Sequence, residues 1–145
     1  MAVDQTGNIT AVWANIEFSE QNAVRNCLLQ GYRVSAVGYK VGGGWGSPRP
    51  SPVLTIECFR GPLEKPQAAI DGRGNAVVAW SDGVNILVQR YSALTDSWER
   101  SWIINDRTSD ANSPHIAVNH RDDAVVVWHQ AGGGKITTWA SMFNE

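Results

Sequence analysis

A run of residues that ends in tryptophan recurs three times along the chain, and this repeat restricts the fold more than any other feature. Residues 66–80 and 114–128 align without gaps, and residues 2–13 align with the later part of both. Self-similarity at a spacing of a few tens of residues is typical of repeat architectures. The positions that the three copies share are Ala2, Ala69 and Ala117; Asp4, Asp71 and Asn119; and Trp13, Trp80 and Trp128.

A second block of aromatic residues follows each copy. Tyr39 and Trp45 in the first copy correspond to Tyr91 and Trp98 in the second, and Phe143 takes the tyrosine position in the third. The repeat therefore extends beyond the first run and includes most of the chain. We interpret the recurrent tryptophans and tyrosines as structural residues of the repeat, because residues that recur in every copy are needed to pack it.

The first copy is longer than the others. The recurrent tryptophans are 67 residues apart from Trp13 to Trp80 and 48 residues apart from Trp80 to Trp128, so the first copy carries 19 extra residues. Most of them lie around Glu17–Gln30. An insertion in one copy of a repeat normally becomes a loop on one rim, and we expect that here. Glu17–Leu29 is the best candidate for a helix, although few of its apolar residues are periodic.

Each copy reads as a series of short strands. In the second copy, the apolar run Asn75–Trp80 follows a predicted tight turn, in which Asp71 can accept backbone N–H bonds and Gly74 can supply the positive φ that the turn needs. Ile86–Tyr91 and Trp98–Ile104 are predicted to be the third and fourth strands. The residues that match Gly74 in the other copies are Gly7 and Asp122. Four strands in about 48 residues is the size of one propeller blade.

The predicted strand before Trp80 has two apolar faces. Residues 76–79 are all apolar, which favours a sheet packed between two neighbours over a sheet with one wet face. We therefore predict an all-β, β-propeller-like fold of about three four-stranded blades, the last one incomplete. The expected division is a single partial propeller domain, 1–145, with blades at about 2–65, 66–113 and 114–145.

The second copy resembles the blades of bacterial β-propeller repeat proteins. Those blades carry a Pro-x-x-Ala-x-Asp-x-x-Gly-Asn-Ala-x-x-x-Trp run, then a Tyr, a Thr/Gly-rich turn and a Trp. The matching residues are Pro66, Ala69, Asp71, Gly74, Asn75, Ala76, Trp80, Tyr91, Thr95 and Trp98. The turn 94–98 is loosely similar to the Asp-box turn of sialidase-type propellers. Kelch-like blades are the other type of blade that the repeat resembles. The resemblance implies a fold rather than an activity, because propellers host many unrelated functions.

Three blades are fewer than the four to eight of a closed propeller. We expect the chain either to be a fragment of a longer propeller or to assemble with itself, because two copies would supply six blades. A net charge of −2 gives no electrostatic indication of nucleic-acid binding, and no apolar run is long enough to span a membrane. The N-terminus lacks the pattern of a signal peptide, and the compartment is left open.

Catalytic and metal-binding chemistry finds little support in the sequence. No Gly-x-Ser-x-Gly, Walker or dinucleotide motif is present, and the paired carboxylates of a glycosidase do not fall on repeat positions. His120 and His129 flank one hairpin, but they are better explained as scattered surface histidines than as metal ligands. Cys27 and Cys58 fit no metal motif and are either two free thiols or one disulfide. We expect no cofactor, no metal and no catalysis.

Binding is the remaining function. Trp102 and Trp139 do not recur in the other copies, so they are candidates for contact with a ligand, although they would serve equally as wedges between blades. Tyr32 and His129 complete the set of candidate contacts. We expect a binding or scaffolding module that recognises a protein or glycan on one rim. The alternatives are a fragment of a sialidase-like glycoside hydrolase and a structural repeat whose only partner is its own copies.

Overall fold

The computed structural model describes residues 1–4, 6–22, 27–50, 54–56, 66–95, 97–119 and 123–143. Within these ranges every regular element is a β-strand, and the strands form three antiparallel sheets that follow one another in chain order. The predicted all-β class is confirmed. The sheets do not close into a barrel or a complete propeller in this part of the chain.

The first sheet is built on one long hairpin. Its strands are β1 (Ala2–Val3), β2 (Ile9–Asn22), β3 (Cys27–Lys40), β4 (Gly44–Trp45), β5 (Arg49–Pro50) and β6 (Leu54–Ile56). Strands β4, β5 and β6 pair in turn with different parts of β3.

Most of the extra residues of the first copy lie in this hairpin. In the described part of Glu17–Leu29 the chain forms strands, so the expected rim loop and the helix considered there are both wrong. Strands β2 and β3 pair from Ile9 opposite Tyr39 as far as Asn22 opposite Cys27, with one register shift. The physical reason is that most of the described residues of the insertion pair with a residue on the facing strand. Cross-strand pairing therefore satisfies the N–H and C=O groups that a loop would leave to water.

The second sheet contains β7 (Gln67–Ile70), β8 (Ala76–Ser81), β9 (Ile86–Ser92), β10 (Ser97–Trp98) and β11 (Trp102–Ile103). Its order is β10-β9-β8-β7, and β11 also pairs with β9. The predicted third strand is confirmed. The predicted fourth strand is interrupted and becomes the two short strands β10 and β11 on the same edge of β9.

The third sheet contains β12 (Ala111–Val118), β13 (Ala124–Gly132) and β14 (Lys135–Phe143), in that order. Gly133 and Gly134 connect β13 to β14 with φ values of 57° and 75°, and a two-residue hairpin turn with two positive φ angles favours glycine. Strand β14 is the edge of this sheet among the described residues. Its counterparts β3 and β9 each pair with further short strands on that side.

The second sheet lies between the other two, and its central strand β8 is buried along its whole length. On one side, Val78 and Trp80 form a cluster that includes Val12 of the first sheet. On the other side, Val77 and Ala79 form a cluster with residues of the third sheet. The predicted burial of both faces of this strand is confirmed. The third-sheet members of that cluster are Ala124, Val126 and Trp128, with Ile116, Val118 and Phe143 packed against them.

Candidate functional site

An Asp-centred turn precedes the second strand of the first two sheets and shapes one rim. The Asp71 carboxylate accepts hydrogen bonds from the N–H groups of Arg73 (2.9 Å) and Asn75 (2.8 Å) and from the Asn75 side-chain amide (2.8 Å). Gly74 completes the turn at φ 87°, as predicted. The first sheet repeats this arrangement at Asp4, Asn8 and Gly7, where φ is 86°. Asp122, the third predicted turn residue, lies outside the described residues.

The third sheet exchanges the two side chains of this turn. Asn119 stands where the other copies have Asp, and Asp123 stands where they have Asn. The Asn119 side-chain amide donates to the Asp123 carboxylate at 2.9 Å, and the Asp123 backbone N–H donates to Asn119 Oδ1 at 3.1 Å. One carboxylate and one amide therefore bridge each turn, in either order.

The amide of this pair also connects two turns of the same rim. Asn75 Oδ1 accepts the backbone N–H of Ala93 at 2.9 Å, and Asn8 Oδ1 accepts that of Val41 at 3.1 Å. In the first and second sheets the turn before the second strand is thereby fixed to the turn after the third strand. Because both turns are fixed by side-chain bonds, the rim of these two sheets presents a defined surface.

The recurrent tyrosine and tryptophan lie opposite each other on paired strands near this rim. Tyr39 is paired with Trp45 and Tyr91 with Trp98. Their ring centroids are 5.3 Å apart with planes at 59° in the first sheet, and 5.5 Å apart at 63° in the second. These are favourable tilted and edge-to-face aromatic arrangements. Trp45 remains 56% exposed, so much of its ring is available to a ligand.

A groove of about 1120 Å³ opens between the first and second sheets at the same rim. Its walls carry aromatic rings, amide side chains and two cations, and the described lining residues include no Asp or Glu. The principal lining residues are Tyr39, Lys40, Trp45, Arg73, Asn75 and Tyr91, with Asn8 and Ser47 beside them.

The carboxylates nearest the groove are engaged within their own turns. Asp71 is buried, with its oxygens bonded as described above. Burial acts to raise the pKa of Asp4, but the hydrogen bonds from Asn8 and Thr6 together outweigh it and lower that pKa below the ordinary value of 3.8. The groove is consequently lined by two cationic residues and by amide and hydroxyl residues, and the carboxylates of the adjoining turns are bonded to backbone N–H groups and to those amides. Such a site can take a ligand with planar apolar faces and acidic or hydroxyl groups.

The structure does not bring the predicted ligand contacts together at this groove. Trp102 is exposed on β11 and makes an edge-to-face contact with Phe143 of the third sheet, at 5.8 Å and 68°. Trp139 is exposed on β14, and His129 is exposed on β13. Tyr32 pairs through its backbone with Ile16 and Leu54, and its side chain lies outside the described residues. Their role in binding stays a prediction.

The recurrent tryptophans differ in burial. Trp80 and Trp128 are buried in the clusters between sheets, as expected for structural residues, whereas Trp13 is only partly buried. No group of three or more His, Cys, Asp or Glu side chains that could hold a metal occurs among the described residues. His120 and Cys58 lie outside the described residues, and with them the predicted pair His120 and His129 and the alternative of a disulfide between Cys27 and Cys58.

Sequence reasoning missed the groove because it treated the repeated tyrosine and tryptophan as purely structural. The signal that could have found it was present: Tyr39 with Trp45 and Tyr91 with Trp98 recur at the same rim as the Asp-Asn turns. What the sequence does not reveal is the gap between two sheets, which depends on how far their outer strands diverge.

Comparison of the chain with protein-family models, with curated proteins and with solved structures finds no match in any of the three. In the described part of the chain, no helix is long and apolar enough to cross a membrane.

Proposed function

We propose that the three sheets are successive blades of a partial β-propeller and that the chain is a non-catalytic binding module for an acidic glycan. The observation that carries the proposal is the groove between the first and second sheets. It combines an exposed tryptophan with two cations and with amide groups held by the turns. The resemblance of the second copy to propeller blades supports the fold part of the proposal.

The chemistry of the groove favours a carbohydrate. The exposed Trp45 ring is a flat apolar group on which the C–H face of a sugar ring can stack. Lys40 and Arg73 supply donors for a carboxylate or sulfate, and charge-assisted hydrogen bonds are stronger than neutral ones. No carboxylate among the described lining residues opposes an anion. A sugar with an acidic substituent matches these features together.

Binding of wild type and two tryptophan variants to an array of neutral, sulfated and uronic- or sialic-acid glycans tests this proposal. Trp45→Ala removes the exposed ring in the groove. Trp139→Ala removes another exposed tryptophan, on the third sheet, and is the matched control. We expect Trp45→Ala to weaken binding by about tenfold or more, which corresponds to about 1.4 kcal/mol. Trp139→Ala should bind as wild type does, and circular dichroism should show both variants folded.

The cations provide an independent arm of the same experiment. Lys40→Gln and Arg73→Gln should weaken binding of acidic glycans and leave any binding of neutral glycans unchanged, with an effect that shrinks as salt rises. Loss of binding with Trp139→Ala instead of Trp45→Ala would place the site on the third sheet and refute the groove. Release of sugar from the bound glycan would favour the sialidase-like hydrolase alternative, and binding of proteins but of no glycan would refute the ligand class.

A further inference from the structure

The two interfaces between sheets use the same pair of faces. Val12 of the first sheet packs against Val78 and Trp80 of the second. Ala79, which matches Val12 in the repeat, packs in the cluster that contains Val126 and Trp128 of the third sheet. Those two residues match Val78 and Trp80. Each sheet thus presents one face, the valine face, to the next sheet, and receives its predecessor on the opposite face, the tryptophan face.

The third sheet has a valine face that no described residue covers. Val127, which matches the fully buried Ala79, is 36% exposed. Its cross-strand neighbour Ala140 is exposed, whereas the matching Val88 of the second sheet is buried. Ile136 lies on the same face by register and is 75% exposed. Apolar residues of this face are therefore exposed at positions whose counterparts on the second sheet are buried in the core between sheets.

The first sheet has a tryptophan face that is open in the same way. Ile9, Ala11 and Trp13 match Ala76, Val78 and Trp80 of the second sheet. The second-sheet residues are buried, but all three in the first sheet are only partly buried. No described sheet packs there. The chain therefore carries one uncovered half of the repeated interface at each end of its stack.

We propose that the valine face of the third sheet of one molecule binds the tryptophan face of the first sheet of a second molecule. The contact would repeat the interface already made twice within each chain, so its shape complementarity is built into the repeat. By register, His115, His129 and Thr138 share the valine face with Val125, Val127 and Ala140, and Ile9, Ala11 and Trp13 lie on the tryptophan face. None of these residues is an Asp, Glu, Lys or Arg. The association is head-to-tail, which gives a closed ring if the rotation closes and a filament if it does not.

Two single variants separate this arrangement from every symmetric one. Val127→Asp places a charge on the valine face only, and Ala11→Asp places a charge on the tryptophan face only. We expect wild type to form larger species as its concentration rises in sedimentation velocity, and each variant alone to remain monomeric. An equimolar mixture should form a 1:1 dimer and nothing larger, because each variant keeps the face that the other has lost.

Recovery of the dimer also shows that both variants are folded, since an unfolded chain could not supply its intact face. Leu94→Asp is the matched control, because Leu94 lies in an exposed turn away from both faces, and it should associate as wild type does. The glycan-site variant Arg73→Gln should also associate normally, because Arg73 lies in a turn of the second sheet and on neither open face. The failure of one proposal is therefore distinguishable from the failure of the other. A wild type that stays monomeric at all concentrations would overturn the inference. Self-association of either single variant, or a mixture that stays monomeric, would overturn it as well.

Discussion

The turn at Asp71 offers a sharp test of the local structure, because the third repeat contains the same turn with its two side chains exchanged. Asp71→Asn keeps an oxygen that accepts from the two backbone N–H groups, but it turns an amide toward the amide of Asn75. The hydrogen bond between these side chains, 2.8 Å long in the wild type, is lost. A hydrogen bond to a charged group contributes about 1.5–3 kcal/mol, so we expect the free energy of unfolding to fall by about that amount.

The exchange Asp71→Asn together with Asn75→Asp should restore most of that stability. The new pair would reproduce the bond that Asn119 donates to Asp123, and the oxygen at position 75 could still accept the Ala93 N–H. The single variant Asn75→Asp should be destabilised, because two carboxylates would then face each other. The coupling in this double-mutant cycle should reach about 1–3 kcal/mol.

Urea unfolding followed by tryptophan fluorescence measures the four free energies of this cycle. Asp71→Ala is a useful reference, because it removes every acceptor and should be more destabilising than Asp71→Asn. The reasoning would be refuted if the loss of stability in the double variant were equal to, or larger than, the sum of the losses in the two single variants. That result would show that the equivalence of the turns in the second and third repeats is only a resemblance of sequence.

Three further predictions concern the core, a turn glycine and acid stability. Ile86→Ala should lower the free energy of unfolding by about 2–5 kcal/mol, because Ile86 is fully buried between the second and third sheets. Leu94→Ala, at an exposed position, should change the free energy of unfolding by less than about 0.5 kcal/mol in the same urea assay. Gly74→Ala should lower the free energy of unfolding by about 1–2 kcal/mol, because Gly74 has a φ of +87°. Gly72 has no positive φ, and an added methyl there would have no neighbouring atom within 4 Å, so Gly72→Ala should change the free energy of unfolding by less than about 1 kcal/mol. Folding lowers the pKa of Asp4, so the stability that its carboxylate contributes is present above the ordinary pKa of 3.8 and is lost as pH falls through the lower pKa of the folded state. The melting temperature of Asp4→Asn should therefore fall less steeply in acid than that of wild type. An equal fall in the two proteins would contradict this.

The features that sequence predicts here are those with a local cause. An Asp that bonds its own turn and a Gly at positive φ are set by residues within five positions of each other, and both are found at Asp71 and Gly74. The buried strand β8 was predictable from its unbroken apolar run. The helix considered at Glu17–Leu29 was wrong in the described part of that segment. Its residues form strands whose partners lie across the hairpin, and this pairing is not visible in the segment's own sequence.

The candidate site was less predictable than the fold. The exposed Trp102 and Trp139 were selected because they do not recur, but the groove is lined by the recurrent Tyr39, Trp45 and Tyr91. A recurrent residue can serve packing in its own sheet and still face a gap beside the next sheet. That distinction depends on the separation of two sheets, which arises from side-chain packing along the whole interface rather than from any single motif.

Amide hydrogen exchange tests most directly the claim that the sheets stack face to face with the second in the middle. On dilute monomer, the slowest amides should be those of β8 and β9, because these strands are paired on both sides and covered on both faces. The amides of the edge strand β14 should exchange much faster. Equal protection across the three sheets, or the strongest protection in the first or third, would contradict the stacked arrangement.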